Sequence, residues 1–190
     1  MTGNISLTSM DAVSDLPQSK NQFAAILQGE ILVETRSHSA WGGAVTAQMY
    51  LPLGRSHVWQ QLTDYPRWVQ YFPDVRRSEV LNPKDGLTQG CKRLYQVADK
   101  SFLFLSLQVE VYLKVLEVSG QRIQFLLEKG TFADFTADLQ LQDCSMGTLL
   151  TYTVQATPLI PVPSVFIEQA MKLELPANMR TMRRVICGNG

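Results

Sequence analysis

Between Val58 and Val75 a run of helical spacing interrupts a chain that is otherwise patterned as strands. Val58, Trp59 and Leu62 recur at the period of a helix. The pyrrolidine ring of Pro66 disfavours helical geometry at Tyr65, so the helix breaks there and a second short piece begins. Asp64 is placed to cap that piece, and Pro66 stands near its first position, where a missing N–H costs little. Trp68, Tyr71 and Phe72 form its apolar side, and Phe72-Pro73 stops it. One strand before such an insert, several after it and a long terminal helix together predict a sheet gripping a helix around an apolar cavity.

The strands on either side carry a period of two. Glu30 to Arg36 can form one. From Ala44 to Leu51 the apolar positions Val45, Ala47, Met49 and Leu51 alternate with Thr46 and Gln48. After Pro73 come Val75 to Leu81, a turn at Asn82 to Gly86, Leu87 to Ala98, and Phe102 to Val118 with Leu105, Leu107, Val109, Val111, Leu113 and Val115 on one face. The phase changes at Leu116-Glu117 as a bulge would make it. Arg122 to Lys129, Gly130 to Gln142 and Thr148 to Thr157 complete six consecutive strands with short turns, an antiparallel meander. Residues 164–187 then read as a helix with one stripe of Phe166, Ala170, Leu173 and Ala177 and another of Met179, Met182, Val185 and Ile186. Pro176 predicts a kink in it, at a cost of roughly 3 kcal/mol that packing must offset.

At 190 residues the chain fits one domain, placed at 29–188 after a lead-in of 1–28 without sustained period. Lys plus Arg and Asp plus Glu number 17 each, so no overall field favours nucleic acid or an anionic membrane. Arg180, Arg183 and Arg184 near the end of the last helix complement its dipole. Cys91, Cys144 and Cys187 are too few and too scattered for a disulfide framework or a zinc site, which points to reduced thiols in a cytoplasmic compartment. No basic start with an apolar run, and no 18-residue apolar window, predicts secretion or membrane insertion. Transient membrane contact stays open, and nothing in the sequence sets an oligomeric state.

A strand, two short helices, six more strands and a long terminal helix resemble the α+β helix-grip fold of the START/Bet v 1-like (SRPBCC) superfamily, a curved antiparallel sheet of about seven strands around that helix. Within it the chain is similar to the polyketide cyclase/dehydrase and coenzyme Q-binding branch. The residues that carry the resemblance are Val58-Trp59 with Leu62 to Tyr65; the Phe72-Pro73 break followed by Arg77 to Val80; Gly130 with Phe132 and Phe135; Thr148-Leu149 with Tyr152; and the proline-punctuated entry to the last helix. They span residues 30–187. Leu139 departs from the pattern, in a place where relatives carry a large aromatic, and implies a different cavity volume.

The resemblance implies a pocket between sheet and terminal helix, lined here by Trp68, Tyr71, Phe72, Tyr95, Val111, Phe125, Phe135, Tyr152, Phe166, Met171 and Met179. Trp68, Tyr71 and Phe72 are expected to face the Pro158 to Pro163 approach, where a ligand would enter. An apolar ligand gains about 0.8 kcal/mol per buried CH₂, so an eight-carbon chain supplies ~6 kcal/mol before binding costs. Arg93, sharing a strand face with Tyr95 and Val97, is the expected anchor for a ligand oxygen if that face points inward. Catalysis would need an acid or base. Neither His38 nor His57 falls on an inward face, Asp134 and Asp138 read as outward, and Arg93, Tyr95 and Tyr152 would have to serve. No cofactor motif or metal-ligand spacing appears. Three readings follow: a binder or carrier of a hydrophobic small molecule such as a lipid, isoprenoid quinone or polyketide; a polyketide aromatase/cyclase or dehydratase in the same cavity; and a protein-interaction module using the exposed sheet face.

Overall fold

Alternation gives each strand one face for the core, and short turns let successive strands pair antiparallel. The computed structural model describes residues 20–81, 91–102, 105–160 and 162–188. Its strands are β1 (Leu32–Ser39), β2 (Gly42–Leu51), β3 (Val75–Leu81), β4 (Lys92–Phe102), β5 (Leu105–Val118), β6 (Arg122–Gly130), β7 (Phe132–Cys144) and β8 (Gly147–Pro158). They form one antiparallel sheet in the order β1-β2-β8-β7-β6-β5-β4-β3. The meander from β3 to β8 is as the alternation predicts, and β1, read from Glu30 to Arg36, brings the sheet to eight strands where the resemblance implies about seven.

This order explains the helical insert. β2 lies beside one edge of the sheet while β3 is the opposite edge, so the chain must cross the sheet between them. It does so through α2 (Arg55–Thr63), a 3₁₀ turn (Tyr65–Arg67) and α3 (Trp68–Tyr71). The break falls at Tyr65-Pro66 as the proline dictates, but Asp64 makes no side-chain cap; its carbonyl accepts the Arg67 N–H at 3.0 Å. The crossing is tied down at both ends. Thr148 Oγ1 donates to the Leu53 carbonyl at 2.8 Å, and Ser78 Oγ donates to the Tyr65 carbonyl at 2.7 Å.

Two further expectations shift. Glu117 pairs in register with Ile123, and the irregularity between β5 and β6 lies at Tyr112/Leu113, where Glu128 is the extra residue. Leu116 is therefore an apolar residue on the outer face, and not the mark of a bulge. The turn at Asn82 to Gly86, the strand start at Leu87 and most of the lead-in lie outside the described residues, as do the side chains of Leu105 and Leu107. Within the lead-in, α1 (Lys20–Leu27) docks on the outer face of the sheet by burying Ile26 against Cys144 and Leu149.

α4 (Ser164–Ile186) runs through Pro176 without interruption. Its buried line is Leu175, Met179, Met182 and Ile186, continued at half-burial by Ile167 and Met171. The stripe expected from Phe166 and Leu173 points the other way, with those side chains 46% and 71% exposed. Both stripes have helical spacing, but the buried one carries larger side chains and so more apolar area per turn. Gly43 of β2 lets α4 approach, since a Cβ there would stand 3.1 Å from Glu168 Cγ and 3.3 Å from its backbone nitrogen.

Candidate functional site

The face of the sheet that meets α2, α3 and α4 collects Val45, Ala47 and Met49 of β2, Val111 and Leu113 of β5, Phe125 of β6, Leu139 of β7 and Tyr152 of β8, all buried. Over them lies a chain of rings. Trp68 donates its indole N–H to the Leu62 carbonyl at 2.9 Å, which satisfies the ring's one polar atom. It stacks on Phe72 with centroids 5.3 Å apart and meets Phe125 edge-on at 5.0 Å. Phe72 in turn meets Tyr152 edge-on at 6.2 Å. Tyr71 donates to the Gln61 carbonyl at 3.0 Å, and burial pushes its phenol up to about 12.

Tyr152 differs from the other buried tyrosines. Tyr65 bonds Glu117 at 2.5 Å, and burial together with that carboxylate holds its phenol far above the usual range. Tyr152 is 5% exposed, yet its hydroxyl has no hydrogen-bond partner among the described residues. No fully enclosed side-chain oxygen or nitrogen in the described structure lacks a partner. The Tyr152 hydroxyl is therefore not fully enclosed by the described residues; Phe72 meets its ring, and Ala47 and Leu139 are its cross-strand neighbours. Burial raises its pKa well above the ordinary phenol value. It is held neutral, as a hydrogen-bond donor and a weak acid, not a base.

Of the residues expected to line a pocket, Trp68, Tyr71, Phe72, Val111, Phe125, Tyr152 and Met179 are buried in this cluster, with Phe135 and Met171 packed against it. Trp68 turns onto Phe125, Phe72 onto Tyr152 and Tyr71 onto Trp68, where an open rim toward Pro158 to Pro163 was expected. Arg93 and Tyr95 are corrected outright. In β4 it is Leu94 that enters the core; Tyr95 pairs with Tyr112 across β5, and Arg93 binds Glu128 at 2.5 Å on the outer face. Arg77 and Lys129 flank that tyrosine pair, 5.2 Å and 4.2 Å from the ring centroids. A one-residue slip in face assignment sends every side chain of a strand to the other side, and that slip separates the expectation from the structure. Phe166 is exposed at the start of α4.

His38, Asp134 and Asp138 are likewise on the outer face, while Lys92 and Glu117 meet Tyr65 at the edge of the inner one. His38 Nε2 lies 2.9 Å from Asp134, which Gln155 also contacts at 3.1 Å, and Arg122 binds Asp138 at 2.6 Å. His57 is exposed on α2. Tyr65 was missing from the expected site, as were Ile167, Leu175 and Met182 of the helix line that holds the expected Met171 and Met179. Tyr65 could have been found from Pro66, which ends α2 and turns the preceding ring inward; the helix line, from side-chain size. Two surface recesses accompany the fold, of about 460 Å³ beside Arg55, Gln121 and Asp143 and about 510 Å³ beside Pro52, Arg180 and Arg184. Neither lies between sheet and α4.

Comparison with known proteins bears on this arrangement. The model of a family described as polyketide cyclase / dehydrase and lipid transport matches residues 51–183. No curated protein matches the sequence at a significant level. Among solved structures, a STAR-related lipid transfer protein from Xanthomonas axonopodis is 18% identical with a TM-score of 0.63, covering 82% of this chain and 93% of its own. The Zhui aromatase/cyclase from Streptomyces sp. R1128 is 12% identical with a TM-score of 0.60 over the same shares, 82% and 93%. A protein from Thermus thermophilus is 16% identical with a TM-score of 0.63, over 77% and 99%. At these identities the likeness is one of fold.

Proposed function

Since the chain belongs to the polyketide cyclase/dehydrase and lipid transport family, we propose that it binds and carries an apolar small molecule bearing one hydrogen-bond-accepting oxygen, held between the sheet and α4. A lipid, an isoprenoid quinone and a polyketide all meet that description. The observation that supports the reading is Tyr152, buried among apolar side chains, neutral and with no hydrogen-bond partner for its hydroxyl among the described residues. A ligand carbonyl that accepted from this hydroxyl would add one hydrogen bond, worth about 0.5–1.5 kcal/mol. The rings above it would part to admit the ligand, with Phe72 as the side chain that separates from Tyr152. Leu159, Ile160 and Phe166, exposed at the approach to α4, would offer apolar contact to a membrane or delivering surface during exchange. The free thiols of Cys91, Cys144 and Cys187 suit a reducing compartment such as the cytoplasm.

The test is native mass spectrometry after purification without detergent, followed by titration with a fatty acid, a short-chain quinone and an aromatic polyketide. A copurified apolar species, and binding that weakens about three- to tenfold in Tyr152→Phe, are expected for loss of one hydrogen bond. Consistent emptiness together with no stabilisation by any of the three would sink the reading. Turnover of a poly-β-keto substrate that vanishes in Tyr152→Phe while binding persists would instead assign a cyclase or dehydratase, with Tyr152 as proton donor.

A further inference from the structure

The last turns of α4 carry three arginines, Arg180 and Arg184 exposed and Arg183 half-buried. Arg180, Thr181 and Arg184, with Arg183 beside them and Pro52 opposite, bound the recess of about 510 Å³. At several places on the described surface cations meet carboxylates: Arg55 binds Asp143 at 3.0 Å, Arg76 binds Asp99 at 2.9 Å, and Arg122 binds Asp138 at 2.6 Å. Here they do not. Among the described residues Arg180 has no hydrogen-bond or ionic partner, and Arg184 reaches only the Thr181 hydroxyl at 3.3 Å. Arg183 donates to the Gly29 carbonyl at 2.6 Å, which positions it but leaves its charge uncompensated.

We propose that this recess binds a phosphate-bearing anion. Guanidinium forks match phosphate oxygens in pairs, and two of them side by side supply the donors that such a group requires. The negative end of the helix dipole does not cancel them. It amounts to about half an elementary charge and acts within the last turn, against three full charges, one of them six residues before Ile186. Because the chain's formal charge is zero, this cluster reflects segregation of charge, not an excess of it. Ala177 and Cys187 add an apolar part to the recess wall, so the site fits a phosphate ester better than a bare ion. Both a soluble phosphate ester and a lipid headgroup present that chemistry.

The full chain tests the proposal in two arms. Inorganic phosphate and glycerol phosphate are titrated by calorimetry, and cosedimentation is measured with phosphatidylcholine vesicles with and without phosphatidic acid. The expected result is binding that falls at least about tenfold when Arg180→Gln and Arg184→Gln are combined, and that weakens with added salt. Both side chains are exposed, so the double variant should keep the wild-type thermal midpoint, and Tyr152→Phe should bind phosphate unchanged. Affinity for the soluble phosphates supports a soluble ester. Cosedimentation that depends on phosphatidic acid, without affinity for the soluble phosphates, supports a headgroup. Binding in neither arm, or equal affinity in the double variant, overturns the proposal.

Discussion

Tyr152 and Arg93 show how differently two polar residues on neighbouring patterns can end. Arg93 reads as an anchor only if its face of β4 points inward; paired with Glu128 outside, it is a half-exposed ion pair. Such pairs contribute at most about 1 kcal/mol, so Arg93→Ala should leave chemical stability within that margin and ligand affinity unchanged, as urea melts and titrations will read. Tyr152→Phe removes a hydroxyl that has no hydrogen-bond partner among the described residues, and is expected to leave stability at neutral pH equal or slightly raised. At high pH the difference grows. The phenols of Tyr71 and Tyr152 have folded pKa values above the unfolded value of about 10, so the stability they support is complete below pH ~10. It then falls by up to about 1.4 kcal/mol per pH unit for each phenol, because only the unfolded chain can ionise. For Tyr71 that loss runs up to about 12. Alkaline unfolding should therefore be shallower in Tyr152→Phe, and an identical pH profile would contradict the burial of that hydroxyl.

At the scale of elements, period and punctuation were legible and facing was not. The odd positions of β2, β5, β6 and β7 and the even positions of β8 enter the core as their alternation predicts. In β4, by contrast, Arg93, Tyr95 and Val97 alternate with Leu94, Gln96 and Ala98, neither set is uniformly apolar, and only pairing of Tyr95 with Tyr112 decides the matter. α4 poses the same problem. Two stripes have helical spacing, and the one that packs was chosen by contact with β2 at Gly43 and with α3, which no local window contains. Truncation distinguishes them. Met179→Ala should cost about 2–5 kcal/mol through the cavity it leaves, while Leu173→Ser, on the exposed stripe, should stay within about 0.5 kcal/mol.

For the whole molecule, the helical insert after β2 is what makes the rest intelligible. A chain that must cross from one side of an eight-stranded sheet to the other carries helix over the apolar face, and α4 returns over the same face to close it. The cluster of Trp68, Phe72, Phe125 and Tyr152 sits where those two passages meet the sheet, which is why the burial of these four rings could be read from the sequence while the space around them could not. Packing density depends on distances between elements remote in sequence, and alternation is silent about them. The most direct measurement is a crystal structure of the protein purified without detergent and supplied with a saturating apolar carbonyl compound. The account predicts density within hydrogen-bond reach of the Tyr152 hydroxyl, with Phe72 displaced from its ring. An unchanged Phe72–Tyr152 contact and an interior empty of ligand would contradict it.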